Sequence, residues 1–131
     1  MRFEFKNFAF LSDESVLAAE ASLCASDQGQ FWPYHDMIFA NRDMLFDDQE
    51  VDSRRVLKQM AWMLDLDTRV FDQCLDSGKH RQDIQQMLND GRAQGVDSTP
   101  SVYVNGLKVD LPHVWDELGP VIERELAKVG Q

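Results

Sequence analysis

The sequence predicts an α/β fold, or an α+β one, in which helices dominate over about three short strands. Three observations carry this expectation. Residues 99–110, Thr-Pro-Ser-Val-Tyr-Val-Asn-Gly-Leu-Lys-Val-Asp, join two β-favouring runs through an Asn-Gly pair suited to both left-handed positions of a type I′ turn. Residues 1–10, Met-Arg-Phe-Glu-Phe-Lys-Asn-Phe-Ala-Phe, alternate apolar and polar for most of their length, the period of a strand. The residues between these two stretches repeat their apolar positions at helical spacing. A strand, a long helical crossover and a later strand also fit a parallel βαβ connection.

Taken in order, the chain begins inside its first strand. Ser12 can cap a helix whose first turn holds Asp13 and Glu14, both favoured at the positive end of the helix dipole. That helix should run to about Asp27 and stop at Gly29, with Leu17, Ala21 and Cys24 on one face and Val16, Ala19 and Leu23 widening it. A second helix is expected from Pro33, since proline is tolerated in a first turn, with Phe31, Trp32, Tyr34 and Phe39 as core and packing residues. Asp43 to Asp52 reads as acidic and irregular. Val56, Leu57, Met60, Ala61 and Leu64 form the next helical stripe. Asp67 caps a short helix in which Val70, Phe71, Cys74 and Leu75 face one way, and Ser77-Gly78 ends it. Ile84, Met87 and Leu88 mark another helix, closed by Gly95. Pro100 belongs at the entrance of the first hairpin strand, as a trans strand-starter or a cis peptide; base rates favour trans. Beyond the hairpin, Pro112 opens a helical turn, Gly119-Pro120 interrupts it, and Val121, Ile122 and Leu126 mark a last helix.

Composition narrows the function. At 131 residues and 44% hydrophobic, the chain suffices for one compact domain, and the balance of 13 basic against 23 acidic residues gives a net charge of −10. Such a surface repels phosphate backbones and anionic lipid, so neither nucleic acid nor a membrane surface is an expected partner. No apolar run approaches the length of a bilayer span, and no charged-then-apolar leader is present. His35, His80 and His113 are not at ligand spacing and neither cysteine completes a recognisable set, so no metal is expected, and no phosphate loop or dinucleotide fingerprint points to a cofactor. Asp47, Asp48 and Glu50 read as a solvated loop rather than a calcium site. Cys24 and Cys74, the only cysteines, stand 50 positions apart, so neither belongs to a Cys-x-x-Cys motif. Each falls on the apolar face of an expected helix, as a small buried hydrophobe would. A lone reactive thiol would need cationic neighbours, for which Lys79 and His80 near Cys74 are thin support.

Four segments carry a family resemblance: residues 3–8 (Phe-Glu-Phe-Lys-Asn-Phe), residues 18–36 through Cys24-Ala-Ser-Asp-Gln-Gly-Gln-Phe-Trp-Pro-Tyr-His-Asp36, residues 71–79 (Phe-Asp-Gln-Cys-Leu-Asp-Ser-Gly-Lys), and residues 95–106 (Gly-Val-Asp-Ser-Thr-Pro-Ser-Val-Tyr-Val-Asn-Gly). In this order, over nearly the whole chain, they resemble the DsbA-like thiol:disulfide oxidoreductases. The resemblance implies a thioredoxin-like fold interrupted by a helical insertion, with residues 1–10 and 96–131 as the thioredoxin part and about 12–94 as the insertion and connecting helix of one domain. It also implies a cis Pro100 beside a redox-active Cys-x-x-Cys pair. In the family, two strands and the start of the helix that carries that pair precede the segment matching residues 3–8, and here the chain begins at that segment. The expectation is therefore an N-terminally truncated family member without catalytic residues of its own.

The resemblance further implies a structural disulfide between Cys24 and Cys74, and a substrate-binding site at Thr99 and Pro100 for protein or peptide partners. An alternative is a non-catalytic module that binds an extended peptide beside Thr99-Pro100. Complete relatives act outside the cytoplasm, so a periplasmic or extracytoplasmic setting is what the family implies. Lacking the intervening strand, the sheet is expected to leave open edges and to favour self-association.

Overall fold

The computed structural model describes residues 1–48 and 50–130. It contains two compact units, one of residues 7–90 and one that joins residues 1–6 to residues 91 onward.

The first unit is helical. Helix α1, Asp13–Ser26, starts where Ser12 adopts an extended conformation and its hydroxyl accepts the Ser15 amide. Helix α2 is Phe31–Ala40, two residues longer at its start than Pro33 indicates. Helix α3, Arg42–Phe46, occupies part of the stretch expected to be irregular. The physical reason is Leu45, 2% exposed: one apolar side chain aimed at the core holds a turn and a half of helix that an acidic composition hides. Gln49, in the same stretch, lies outside the described residues. Helix α4, Ser53–Met63, is capped by Asp52, and α5, Thr68–Ser77, by Asp67, whose carboxylate accepts the Val70 amide. Helix α6 is Arg81–Ala93.

The core of this unit forms where α1, α4 and α5 meet: Ala21, Cys24 and Ala25 from α1, Leu57, Met60 and Ala61 from α4, and Phe71, Cys74 and Leu75 from α5. The alanines on α1 are what let the other helices approach closely. Tyr34 enters the same core from α2, with its hydroxyl donating to the Leu57 carbonyl oxygen at 2.9 Å, and burial pushes the phenol's pKa far up. Two packing expectations fail. Trp32 (45% exposed) and Phe39 (62%) lie on the outer face of α2, where Trp32 and Phe39 flank the His35 ring. Val70 is half exposed because the first turn of α5 buries only Phe71.

The second unit holds the hairpin and the last helix. Strands β1, Val102–Val104, and β2, Leu107–Val109, pair antiparallel with Val102 opposite Val109 and Val104 opposite Leu107. Asn105 (φ 49°) and Gly106 (φ 83°) supply the two left-handed residues of the turn. Residues 1–10 are not a strand; the sheet of the described residues is β1-β2 alone. Alternation sets which way side chains point, but a strand also requires a neighbouring backbone to complete its ladder, and the hairpin strands complete each other's. Helix α7 runs unbroken over Trp115–Val129 with Pro120 inside it, where an interruption was expected. Pro120 withholds one N–H, the one that would reach back to Asp116; the first turn is already closed ahead of it by the Glu117 and Leu118 amides on the Val114 carbonyl oxygen, each at 3.0 Å, so one bond is lost and the helix continues. Gly119 is buried, and a Cβ there would meet the Trp115 ring at 3.1 Å, so its smallness lets the indole fold along the helix. Glu125 ties α7 to the hairpin by accepting from Asn105 Nδ2 at 3.2 Å and, within the helix, also accepts from Lys128 Nζ at 2.7 Å; these donors hold its carboxyl below its usual pKa.

No described helix is long and apolar enough to cross a membrane.

Candidate functional site

Two places hold the residues singled out from sequence. In the helical unit, Cys24 and Cys74 form a disulfide between α1 and α5, with Cα atoms 5.9 Å apart and 50 positions between them in sequence. Both are buried, to 1% and 8% exposure. Packing and the reciprocal bonds of Gln28, which donates to the Asp67 carbonyl oxygen (3.1 Å) and accepts the Asp67 amide (2.8 Å), hold the two helices together beside the bridge.

A polar rim surrounds the sulfurs. Asp27 ends α1 one turn beyond Cys24. Gly78, left-handed at φ 66°, ends α5 and turns the chain back, so that the Lys79 amide bonds the Cys74 carbonyl oxygen at 3.2 Å. That return delivers Lys79 and His80 to Asp27. Asp27 Oδ2 accepts from Lys79 Nζ and from His80 Nε2, each at 2.7 Å, and lies 3.9 Å from Cys74 Sγ. His80 Nδ1 meets Asp83 Oδ2 at 2.8 Å. With a carboxylate at each ring nitrogen, the form that satisfies both bonds as donors is the charged imidazolium, which these contacts favour. Burial opposes that charge, but the hydrogen bonds to Asp83 and Asp27 outweigh it, and the His80 pKa is raised. For Asp27 burial acts to raise the pKa, and the hydrogen bonds from Lys79 and His80 reverse it to a net lowering. A ring nitrogen of His80 and both sulfurs lie within 4.8 Å of one another.

Of this group, sequence reasoning named Cys24, Cys74, Lys79 and His80 and missed Asp27 and Asp83. The findable signal was local: Asp27 lies one turn past Cys24 and Asp83 one turn past His80, the spacings at which helical neighbours meet.

The second place belongs to the other unit. Thr99 and Pro100 are exposed, their peptide bond is cis, and they lead directly into β1. Ser101 Oγ donates to the Ser98 carbonyl oxygen at 2.6 Å, which closes the turn before the strand. In the described sheet β1 pairs with β2 on one side only.

The family model described as Thioredoxin matches residues 1–124. The chain belongs to the thioredoxin family. Among curated proteins it is 27% identical, over 95% of its own length, to a probable disulfide bond formation protein D of Bacillus anthracis, of which it spans 57%. It is 31% identical over 106 residues to Na(+)/H(+) antiporter NhaA 3 of Salinispora tropica, and 32% identical over 93 residues to the Na(+)/H(+) antiporter NhaA of Herminiimonas arsenicoxydans. These matches cover 81% and 71% of this chain but only 15% and 14% of the antiporters. No solved structure matches at the same level of significance. The family match and the Bacillus relative identify a DsbA-like thioredoxin-fold oxidoreductase lineage.

Proposed function

We propose that this chain is a thioredoxin-like module of the protein thiol:disulfide exchange type that binds an extended segment of a partner protein at Thr99, Pro100 and the open side of β1, and that the 131-residue chain does not itself turn over disulfides. The observation that carries the second half is that both of its cysteines are bonded to each other and buried. Exchange proceeds by attack of an accessible thiolate on a disulfide sulfur, and a resolving thiol must stand close by. Neither is available here. For the first half, an exposed loop leading into a strand with one unpaired side offers main-chain hydrogen bonds to an added strand. In this reading residues 1–10 and 96–131 form the thioredoxin part and about 12–94 the helical insertion, and an extracytoplasmic, oxidising setting suits a buried disulfide.

The test is insulin reduction and oxidative refolding of a scrambled substrate. The expected rate is that of an equal concentration of free thiol. Turnover that vanishes in Cys24→Ser or Cys74→Ser would show the pair to be catalytic instead. Support for binding is an increase in fluorescence anisotropy of a labelled unfolded peptide that Thr99→Arg abolishes.

A second reading rests on the antiporter relatives: the part of each that is similar to this chain is 15% or 14% of the whole, as for one unit of a larger membrane protein. Reading the coding frame beyond both ends, for transporter helices or for a Cys-x-x-Cys segment, separates the two readings.

A further inference from the structure

We propose that Cys24, Cys74, His80 and Asp27 form a redox-gated metal site: bonded, the cysteines exclude a metal, and reduced, they bind one zinc-type divalent ion together with His80 and Asp27. The proposal rests on donor chemistry and placement in the helical unit, and it stands or falls independently of the reading of Thr99 and Pro100.

The donors are of the right kind: Cys24, Cys74 and His80 stand together as three, and Asp27, which touches His80 and lies near Cys74, has to swing in as the fourth. Zinc takes four ligands in a tetrahedron, commonly two thiolates with nitrogen and oxygen, at about 2.3 Å to sulfur and about 2.0 to 2.2 Å to nitrogen and oxygen, so its donors stand roughly 3 to 4 Å apart. The two sulfurs and a His80 nitrogen lie within 4.8 Å of one another, and Asp27 Oδ2 lies 3.9 Å from Cys74 Sγ. The His80 Nε2 to Asp27 Oδ2 separation, 2.7 Å, has only to open slightly for an ion to replace the shared proton.

The surroundings match those of a metal-ligating histidine. Such a histidine gives its second nitrogen to a carboxylate that orients the ring. His80 Nδ1 already meets Asp83 Oδ2 at 2.8 Å. Two thiolates and one carboxylate around a divalent ion leave one negative charge, and Lys79 Nζ, 2.7 Å from Asp27 Oδ2, stands in place to offset it. The scaffold does not depend on the bridge alone, since core packing and the Gln28–Asp67 bonds also join α1 and α5.

The chemistry balances. A dithiol gives two electrons and two protons to the Cys24–Cys74 bond, leaving two thiols on this chain and a disulfide on the reductant. The entering ion then displaces both thiol protons and the Nε2 proton of His80, three in all, to solvent. The Nδ1 proton stays on its bond to Asp83. In the oxidised chain there is no thiolate to offer, so occupancy reports the redox state.

The experiment uses the full chain, treated with a water-soluble phosphine, which takes oxygen from water as it reduces the disulfide, and titrated anaerobically with cobalt(II) and then zinc(II). The expected result is one cobalt per reduced chain, with a near-ultraviolet thiolate-to-cobalt charge-transfer band and visible bands of tetrahedral intensity, displaced by one equivalent of zinc, and no band from the oxidised chain. Asp83→Asn should weaken the site by about 10- to 100-fold without removing the charge-transfer band, because Asp83 only orients the ligand. His80→Gln should weaken it further and change the visible bands. A reduced, folded chain that binds cobalt no better than the Cys24→Ser/Cys74→Ser double variant overturns the proposal. Should reduction cost helical circular dichroism, one equivalent of zinc is expected to restore it, and failure to do so overturns the proposal equally.

Discussion

Reducing the Cys24–Cys74 bridge in the presence of a chelator should destabilise the helical unit by about 4 kcal/mol. The bridge joins α1 to α5 across a sequence separation of 50 residues. On the chain-entropy model, closing a loop of that length removes about 14 cal/mol/K from the unfolded ensemble, or about 4 kcal/mol at 25 °C. Both cysteines lie within the unit of residues 7–90, so the loop opens when that unit unfolds and the full entropic effect applies. Urea unfolding followed by far-ultraviolet circular dichroism is the assay, with and without the phosphine, and with the chelator present so that no metal re-links the thiols. For a denaturant dependence of about 2 kcal/mol/M, the midpoint should fall by about 2 M. A Cys24→Ala/Cys74→Ala variant should show a similar fall, which separates the loss of the crosslink from any effect of the reductant. A fall under about 0.5 M, with unchanged slope, would refute the reasoning: α1 and α5 would then be held in the unfolded ensemble by something other than the bond.

Three further outcomes follow from single features. The raised His80 pKa stabilises the oxidised fold below its unfolded value of about 6.5, and that contribution is lost as pH rises through the folded value; the lowered Asp27 pKa contributes above about 3.9 and is lost as pH falls through its own folded value. His80→Gln should therefore lower the melting temperature more at pH 6 than at a pH above the folded His80 value, and a loss that does not change with pH would show the charge to be irrelevant. Glu20 is 2% exposed and its Oε1 has no hydrogen-bond partner among the described residues, while Arg81 Nε, on a largely exposed side chain, stands 3.5 Å away; Glu20→Met removes a buried polar atom without stranding a buried charge and should raise stability by about 1 kcal/mol, whereas a lower melting temperature would show that the carboxylate is needed. The open side of β1 should make the chain associate at micromolar concentration, with Tyr103→Lys reducing it; sedimentation as a concentration-independent monomer would refute this.

How much was legible in the sequence depended on whether the controlling interaction was local. Ser12, Asp52 and Asp67 each cap a helix through an amide two or three residues away, and Asn105-Gly106 sets its turn by its own backbone preference. The caps at Ser12 and Asp67 and the hairpin are plain in the letters. Residues 1–10, α3 and α7 depended on distant partners. Alternation in residues 1–10 has the right period, but the ladder that would make it a strand belongs to another segment. Leu45 holds α3 through the core, and α7 is tied to the hairpin by the bond from Asn105 to Glu125. Trp32 and Phe39 exposed the same limit from the other side: an aromatic-rich run says that something is packed, not which members face inward.

The site divides along the same line, and the division bears on what it can do. That Cys24 and Cys74 pair was implied by family likeness; what surrounds the pair was not. A buried bridge with no charged neighbours would be an inert staple, because a thiol released in apolar surroundings stays protonated. This one opens onto Lys79 and onto His80, whose carboxylate partners favour its charged form; both cations favour the thiolate, while Asp27 opposes it. The same Asp27 that works against a free thiolate becomes a ligand once a cation enters, and His80 changes from a competing cation to a neutral donor. The rim therefore favours a metal-held pair of thiolates over a free reactive one. That preference suits a site that senses a reductant better than one that passes electrons to a substrate, since sensing needs a stable reduced state and exchange needs an exposed one.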